Sequence, residues 1–143
     1  ITEMNRHIYL FDEFFAKEIE ENNIREEQFT QKAEKILLHG HCQQKALIGT
    51  EYMEKMLSLP KNYSVEVIPS GCCGMAGSYG YEKRHYEKSK QIADLHLTKA
   101  INKADKSTII SAPGTSCREQ IKHFTQRKAL HPIEIMYNAL KTK

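Results

Sequence analysis

The chain has 143 residues, 40% of them hydrophobic and 27% charged, with a formal net charge of +3. That balance suits one globular domain with a core of its own plus an appended arm. The weak positive excess, with no Lys/Arg block interleaved with aromatics, argues against nucleic acid, and no apolar run approaches the ~20 residues needed to span a bilayer.

In chain order, residues 4–23 read as a helix, because Ile8, Phe11, Phe14, Phe15 and Ile19 recur at three- and four-residue steps. Residues 24–34 are polar and read as a linker, so 1–34 form an N-terminal helical arm and linker. From residue 35 the pattern turns regular. A short apolar strand at 35–38 runs into His39-Gly40-His41-Cys42, and a helix follows at 46–57 with Leu47, Tyr52 or Met53, and Met56–Leu57 on one side. A second strand at 64–68 leads into Gly71-Cys72-Cys73-Gly74. A long helix at 81–102 has Tyr86, Ile92, Leu95 and Leu97 as its inner face, and a third strand at 107–111 leads into Gly114-Thr115-Ser116-Cys117. Helices at 117–124 and 132–141 close the chain, the second opened by Pro132. This order predicts an α/β fold: a small parallel sheet with flanking helices in Rossmann-like strand–helix alternation.

The chain opens at Ile1 with no initiator Met and reads as a piece cut from a longer protein, so its start says little about targeting; a cytoplasmic location is the expectation. Four cysteines are too sparse for a disulfide scaffold, and a bridge between the adjacent Cys72 and Cys73 would need a strained ring. All four follow the C-terminal end of a predicted strand, the edge where parallel sheets bind ligands, so residues far apart in sequence converge there. Gly71, Gly74 and Gly77 bracket the pair and permit turns whose N–H groups can face sulfur. Thiolates suit iron–sulfur clusters or zinc. Zinc is the weaker fit, since no C-x-x-C knuckle is present. Cys72 or Cys73 as a thiol–disulfide redox site is a third reading, with Lys45 or Arg118 lowering a thiol pKa. His39 and His41 flank the first strand end, and one of them can face the site. His131 reads as a loop or capping residue; His7, His85, His96 and His123 read as surface. The Gly-Ser-Tyr-Gly run at 77–80 resembles a phosphate cradle without the P-loop Lys.

The runs His39-Gly-His-Cys-Gln-Gln-Lys-Ala-Leu, Ser70-Gly-Cys-Cys-Gly-Met-Ala-Gly-Ser-Tyr-Gly-Tyr-Glu and Pro113-Gly-Thr-Ser-Cys-Arg-Glu-Gln-Ile resemble the CCG, or cysteine-rich, domain family. That domain occurs in heterodisulfide reductases, in glycolate oxidase iron–sulfur subunits, and in related lactate-utilisation and anaerobic glycerol-phosphate proteins. The nearest resemblance is to the C-terminal segment of fused FAD-linked oxidases. The resemblance implies that 35–143 is a CCG domain and that Cys42, Cys72, Cys73 and Cys117 hold a cluster of 4Fe–4S type. It also implies flavin and ferredoxin-like domains or subunits as partners, with FAD bound there rather than here, and membrane association only through those partners. The function implied is electron transfer within an oxidoreductase acting on a glycolate- or lactate-like 2-hydroxy acid, with no catalytic residue of its own. An empty site in an excised domain handled in air would be unsurprising, because exposed clusters are labile and bare thiols oxidise. Gly114 stands where the reductases carry a fifth cysteine, so the four-thiolate version is the one expected. A zinc-stabilised interaction module is the alternative.

Overall fold

The computed structural model describes residues 7–141. Four strands, β1 (Glu34–Leu38), β2 (Tyr63–Val67), β3 (Ile109–Ser111) and β4 (Ala129–Leu130), form one sheet in the order β2-β1-β3-β4. Every pairing is parallel. Parallel neighbours require a crossover, and helices supply each one. The helices α2 (Cys42–Leu47) and α3 (Glu51–Leu57) link β1 to β2, α4 (Tyr86–Leu95) and α5 (Leu97–Lys103) link β2 to β3, and α6 (Thr115–Thr125) links β3 to β4. An outer helix α1 (Phe11–Glu20) and the closing α7 (Pro132–Ala139) complete the layers. The α/β class with a parallel sheet and flanking helices is therefore as the alternating pattern predicts.

The central strand is buried on both faces, as a parallel strand covered by helices must be. Side chains alternate along it. Ile36 and Leu38 join Phe15, Phe29, Met53, Met56, Leu57, Ile135 and Met136 on one side. Leu37 joins Ile68, Leu97, Ile101, Ile110 and Ile121 on the other, in the same cluster as Cys73 and Cys117.

Several boundaries differ from the sequence expectation. The first helix begins at Phe11 rather than residue 4; residues 4–6 lie outside the described residues, and Ile8 is exposed. Only Phe15 of the expected apolar set is deeply buried, because Phe11 and Phe14 sit at the rim of the layer. The segment 24–34 is more than a linker. It contains a 3-10 turn at Glu26–Gln28, and Phe29 is buried and forms an antiparallel bridge with Leu140. The helix expected over 46–57 is two helices, parted at Gly49 (φ 77°), and Leu47 is 79% exposed rather than on the inner face. The helix expected over 81–102 starts as 3-10 turns at Tyr79–Tyr81 and Lys83–His85, where the His85 ring stacks on Tyr79 at 3.8 Å between centroids. It is then broken at His96; Leu97 faces inward as expected, and Ala93 and Ile101 do so in place of Tyr86 and Leu95. The two-residue β4 carries too little pattern to register in the sequence.

His131 caps α7. Its Nδ1 accepts the Ile133 N–H at 3.2 Å, and Glu134 Oε2 accepts the His131 N–H at 2.8 Å. Burial first, then the positive charge of Arg118, holds this imidazole below the usual histidine range. The unfolded chain takes up its proton near pH 6.5 while the folded chain still resists, so this contribution is complete above that pH and declines as pH falls. His131→Asn keeps a cap acceptor without the titration. It is expected to flatten the fall in thermal midpoint between about pH 7.5 and pH 5.5 while leaving the value at pH 7.5 near that of the parent. His131→Ala is expected to lose about 1 kcal/mol at pH 7.5.

Candidate metal centre

The last rungs of the ladder place the site. Leu38 is opposite both Val67 and Ser111, and Ser111 is opposite Leu130, so all four strands end in register on one edge. From β1 the chain passes to β2 on one side and then to β3 on the other. The carboxyl ends of β1 and β3 therefore flank the crevice where such sheets bind ligands. The loop after β1 delivers His39 and Cys42, the loop after β2 delivers Cys72 and Cys73, and the loop after β3 leads to Cys117 in the first turn of α6.

The four cysteines are not equally placed. Cys73 and Cys117 are buried, Cys72 is half-buried and Cys42 is exposed; all are free thiols. Cys73, Cys117 and a ring nitrogen of His39 lie within 4.8 Å of one another. Cys42 and Cys72 stand further out, close enough to act on Cys117 through charge. The Cys117 S–H donates to Cys73, which acidifies the Cys73 thiol and raises that of Cys117; His39 and the Met75 N–H also favour the Cys73 thiolate. The two sulfurs thus share a proton and titrate as a unit. Burial pushes the Cys72 thiol up, opposed by the N–H groups of Gly74 and Ala76. Lys45 and Arg118, expected to acidify a thiol, are not the leading causes at any of these sulfurs.

Those two cations hold the loops instead. Lys45 Nζ donates to the carbonyl oxygens of Ser70 and Gly71, and Arg118 donates to those of Ala112 (3.0 Å) and Pro113 (2.7 Å). Gln120 Nε2 donates to Cys73 O (3.1 Å) and Ser89 Oγ (2.7 Å), and Ser89 Oγ donates to Gly74 O (2.8 Å). With its carbonyls occupied, the Cys-Cys-Gly turn aims its N–H groups inward, and Gly74 N donates to Cys72 Sγ at 3.3 Å. The turn needs glycine: Gly74 has φ 97°, and a Cβ there would stand 2.2 Å from Ser89 O. Gly71 and Gly77 meet nothing within 4 Å, so neither is required by packing. Gln120 lies one turn beyond Cys117 on the same helix face, a spacing visible in the sequence; nothing in the sequence marks Ser89.

His39 and His41 separate here. His39 is 0% exposed, with Nδ1 at 2.7 Å from Ser70 Oγ, and its Nε2 is one of two buried side-chain polar atoms without a partner among the described residues. The other, Ser111 Oγ, sits one position out of phase with Ile110 and so belongs to the opposite sheet face. An unmet buried polar group costs about 1–3 kcal/mol. His41 is half-buried and precedes α2, with its ring over Gly114: a Cβ at 114 would meet His41 Cδ2 at 2.6 Å and Cys117 Sγ at 3.1 Å. The imidazole occupies the space that a side chain at 114 would take. A cavity of about 330 Å³ opens beside it, walled also by Leu10, Leu47 and Pro113.

Two buried thiols sharing a proton, sulfur-directed N–H groups and an orphaned imidazole nitrogen form a soft donor set that fits a thiolate-preferring metal or cluster. The 77–80 run is folded against Met75, with Gly80 N donating to Met75 O at 2.8 Å, and its last two residues open the 3-10 turn Tyr79–Tyr81.

No family model and no solved structure matches the chain. It is similar to D-2-hydroxyglutarate dehydrogenase of Pseudomonas putida, at 35% identity over 101 residues, which is 69% of this chain and 10% of that protein. The protein of the same name from Escherichia coli is 28% identical over 136 residues, covering 94% of this chain and 13% of the relative. A subunit of the anaerobic glycerol-3-phosphate dehydrogenase of Escherichia coli is 29% identical over 106 residues, covering 74% of this chain and 26% of the relative. The chain therefore spans between about a tenth and about a quarter of the length of these relatives. Its relatives are dehydrogenases or dehydrogenase subunits, which makes it a module related to redox enzymes.

Proposed function

We propose that this chain is the iron–sulfur electron-transfer module of a larger flavin-dependent dehydrogenase of 2-hydroxy acids, with Cys42, Cys72, Cys73 and Cys117 as thiolate donors. The observation that carries this reading is the buried Cys73–Cys117 pair, set beneath a turn whose N–H groups face sulfur. Names of relatives that contain 2-hydroxyglutarate support the substrate class, and the resemblance of residues 35–143 to cysteine-rich domains supports a 4Fe–4S centre. Such a centre would accept one electron at a time from a flavin domain and pass it on, in the cytoplasm, through ferredoxin-like partners. The residues around it would hold thiolates, exclude water from the inner pair and set the potential through N–H groups and charge. Residues 1–34 would serve as the arm seating the module, since Gln44 Nε2 donates to the buried Asp12 carboxylate at 2.7 Å and so ties α1 to the helix that begins at Cys42.

One observation favours a second reading. Tetrahedral zinc places two thiolates about 3.8 Å apart, and the spacing of His39, Cys73 and Cys117 is compatible with a single ion. A thiol–disulfide site is less favoured, because the acidified Cys73 is buried and the more accessible Cys72 is pushed toward the unreactive thiol.

Anaerobic purification followed by iron and acid-labile sulfide analysis decides between these readings. Iron and sulfide in comparable amounts are expected; stoichiometric zinc without sulfide after anaerobic reconstitution would sink the cluster reading. Cys73→Ser and Cys117→Ser are expected to lose most of the bound iron, and a Cys72→Ser variant that reconstitutes as well as the parent removes Cys72 from the ligand set. Lys45→Met deletes a positive charge and two hydrogen bonds beside the Cys-Cys loop. A lower midpoint potential in redox titration is expected, with Lys45→Arg restoring most of the shift, because an added electron is less favoured without the cation.

A further inference from the structure

We propose that Nε2 of His39 is a metal ligand, so that the centre takes one imidazole nitrogen beside the thiolates of Cys73 and Cys117. This rests on reading the group as a metal centre, and it deepens that reading by adding a donor no cysteine motif announces. The ladder continues past β1 through the His39 N–H, which donates to Ser111 O at 2.8 Å. Alternation then sends the imidazole to the side of Leu37, into the layer that holds Cys73 and Cys117. There the ring is fully buried, and its two nitrogens have different surroundings. Nδ1 is held by Ser70 Oγ at 2.7 Å, Nε2 has no hydrogen-bond partner among the described residues, and a ring nitrogen of His39 lies within 4.8 Å of both sulfurs, which leaves Nε2 as the free donor.

A metal-bound histidine ordinarily donates its other ring N–H to an oxygen, which fixes both tautomer and orientation. Ser70 supplies that oxygen. An Nε2–H tautomer would favour the Cys73 thiolate without any metal. In the Nδ1–H tautomer, with Ser70 Oγ as acceptor, Nε2 instead presents a lone pair to the site, and a metal ion is the group that meets a lone pair between thiolates. Two thiolates and one imidazole select a borderline divalent ion such as Zn²⁺, Co²⁺ or Fe²⁺, alone or as one iron of a cluster. His41, two residues on, is a different case, since it is half-buried and its ring is spent against Gly114. A neutral nitrogen at this position brings no negative charge, where a cysteine would bring one, and so favours the reduced form relative to a thiolate in its place.

The test uses the whole 143-residue chain, loaded anaerobically in two ways, with Co²⁺ alone and with ferrous iron plus sulfide. In the Co²⁺ form, a strongly shifted, solvent-exchangeable imidazole N–H proton resonance is expected, present in the parent and in His41→Ala and lost in His39→Ala. In the iron form, nitrogen hyperfine coupling by pulsed electron paramagnetic resonance should disappear with the same variant, and His39→Cys should lower the midpoint potential. Should His39→Ala fail to fold by circular dichroism, Ser70→Ala keeps the ring and removes only its oxygen partner. That variant is expected to weaken Co²⁺ affinity by about 10–100-fold and to speed exchange of the shifted proton.

Thiolate-to-Co²⁺ absorption without the shifted resonance, or a resonance that survives in His39→Ala, overturns the proposal. Unchanged affinity and exchange in Ser70→Ala overturn it as well. Iron and sulfide incorporated without histidine coupling leave the iron–sulfur reading standing and remove the ligand. Co²⁺ bound through His39 with no uptake of iron and sulfide keeps the ligand and removes the cluster. Failure to bind either metal refutes both.

Discussion

Because Leu38, Val67, Ser111 and Leu130 are consecutive partners across the sheet, four strands of unequal length all stop at the same level. Each loop that follows must start from that edge. The strands begin raggedly, with β1 and β2 five residues long, β3 three and β4 two, so the alignment belongs to the carboxyl ends alone. A register slip of one residue in β1 would turn His39 away from Cys73 and bring Leu38 into its place, since side chains alternate with a period of two. The apolar triplet Ile36-Leu37-Leu38, buried on both faces, resists that slip least of all the strands, because either phase buries a branched chain. The pairing of the His39 N–H with Ser111 O and the seat of His39 against Ser70 are therefore part of what holds the register.

A second constraint follows from putting sulfur at the end of a sheet. Loops there carry carbonyls and N–H groups that the ladder no longer satisfies. The chain divides them by sign. Carbonyls of Ser70, Gly71, Cys73, Gly74, Ala112 and Pro113 are taken by Lys45, Gln120, Ser89 and Arg118, all from helices packed on the sheet. N–H groups of Gly74, Met75 and Ala76 are left for sulfur. The positive φ of Gly74 and of Ala76 turns successive N–H groups to one side, the concave arrangement that suits anions. The helices thus cover the core and also orient the donors by removing the competing acceptors.

How much of this was legible in the sequence depends on the range of the interaction. The strand–helix alternation and the convergence of three cysteine loops followed from short apolar runs placed before Cys42, Cys72 and Cys117, since sheet topology needs only the order of elements. The inequality of the four cysteines was hidden. Burial of Cys73 and exposure of Cys42 depend on the helices α4 and α6 that cover one loop and leave the other open, and no local pattern encodes that. The two histidines beside Cys42 were indistinguishable for the same reason: their residue types match, and only the pairing of β1 with β3 sends one ring inward. Helix breaks at Gly49 and His96 were missed differently. Gly49 carries the usual signal of a helix end, masked by apolar residues on both sides, whereas His96 has none, and the break is bridged by a Thr98 Oγ1 to Asp94 Oδ1 bond of 2.6 Å.

The same burial that equips the site also loads the fold with cost. A shared proton between two sulfurs and an imidazole nitrogen without a partner among the described residues sit inside the layer that Leu37, Ile68, Ile110 and Ile121 would otherwise fill with hydrocarbon. Beyond its seat against Ser70, folding alone rewards that choice little, because an apolar side chain at 39 would bury as much surface and leave no unmet ring nitrogen. A ligand that binds the folded arrangement and not the unfolded chain stabilises it by mass action, and a metal held by thiolates and nitrogen does this strongly. Polar groups retained at that cost, on the edge where three loops meet, are where a functional demand overrides the local rules of packing. The proposed centre is therefore also a term in the stability of the sheet edge, and its loss would weaken first the loops that carry Cys72, Cys73 and Cys117.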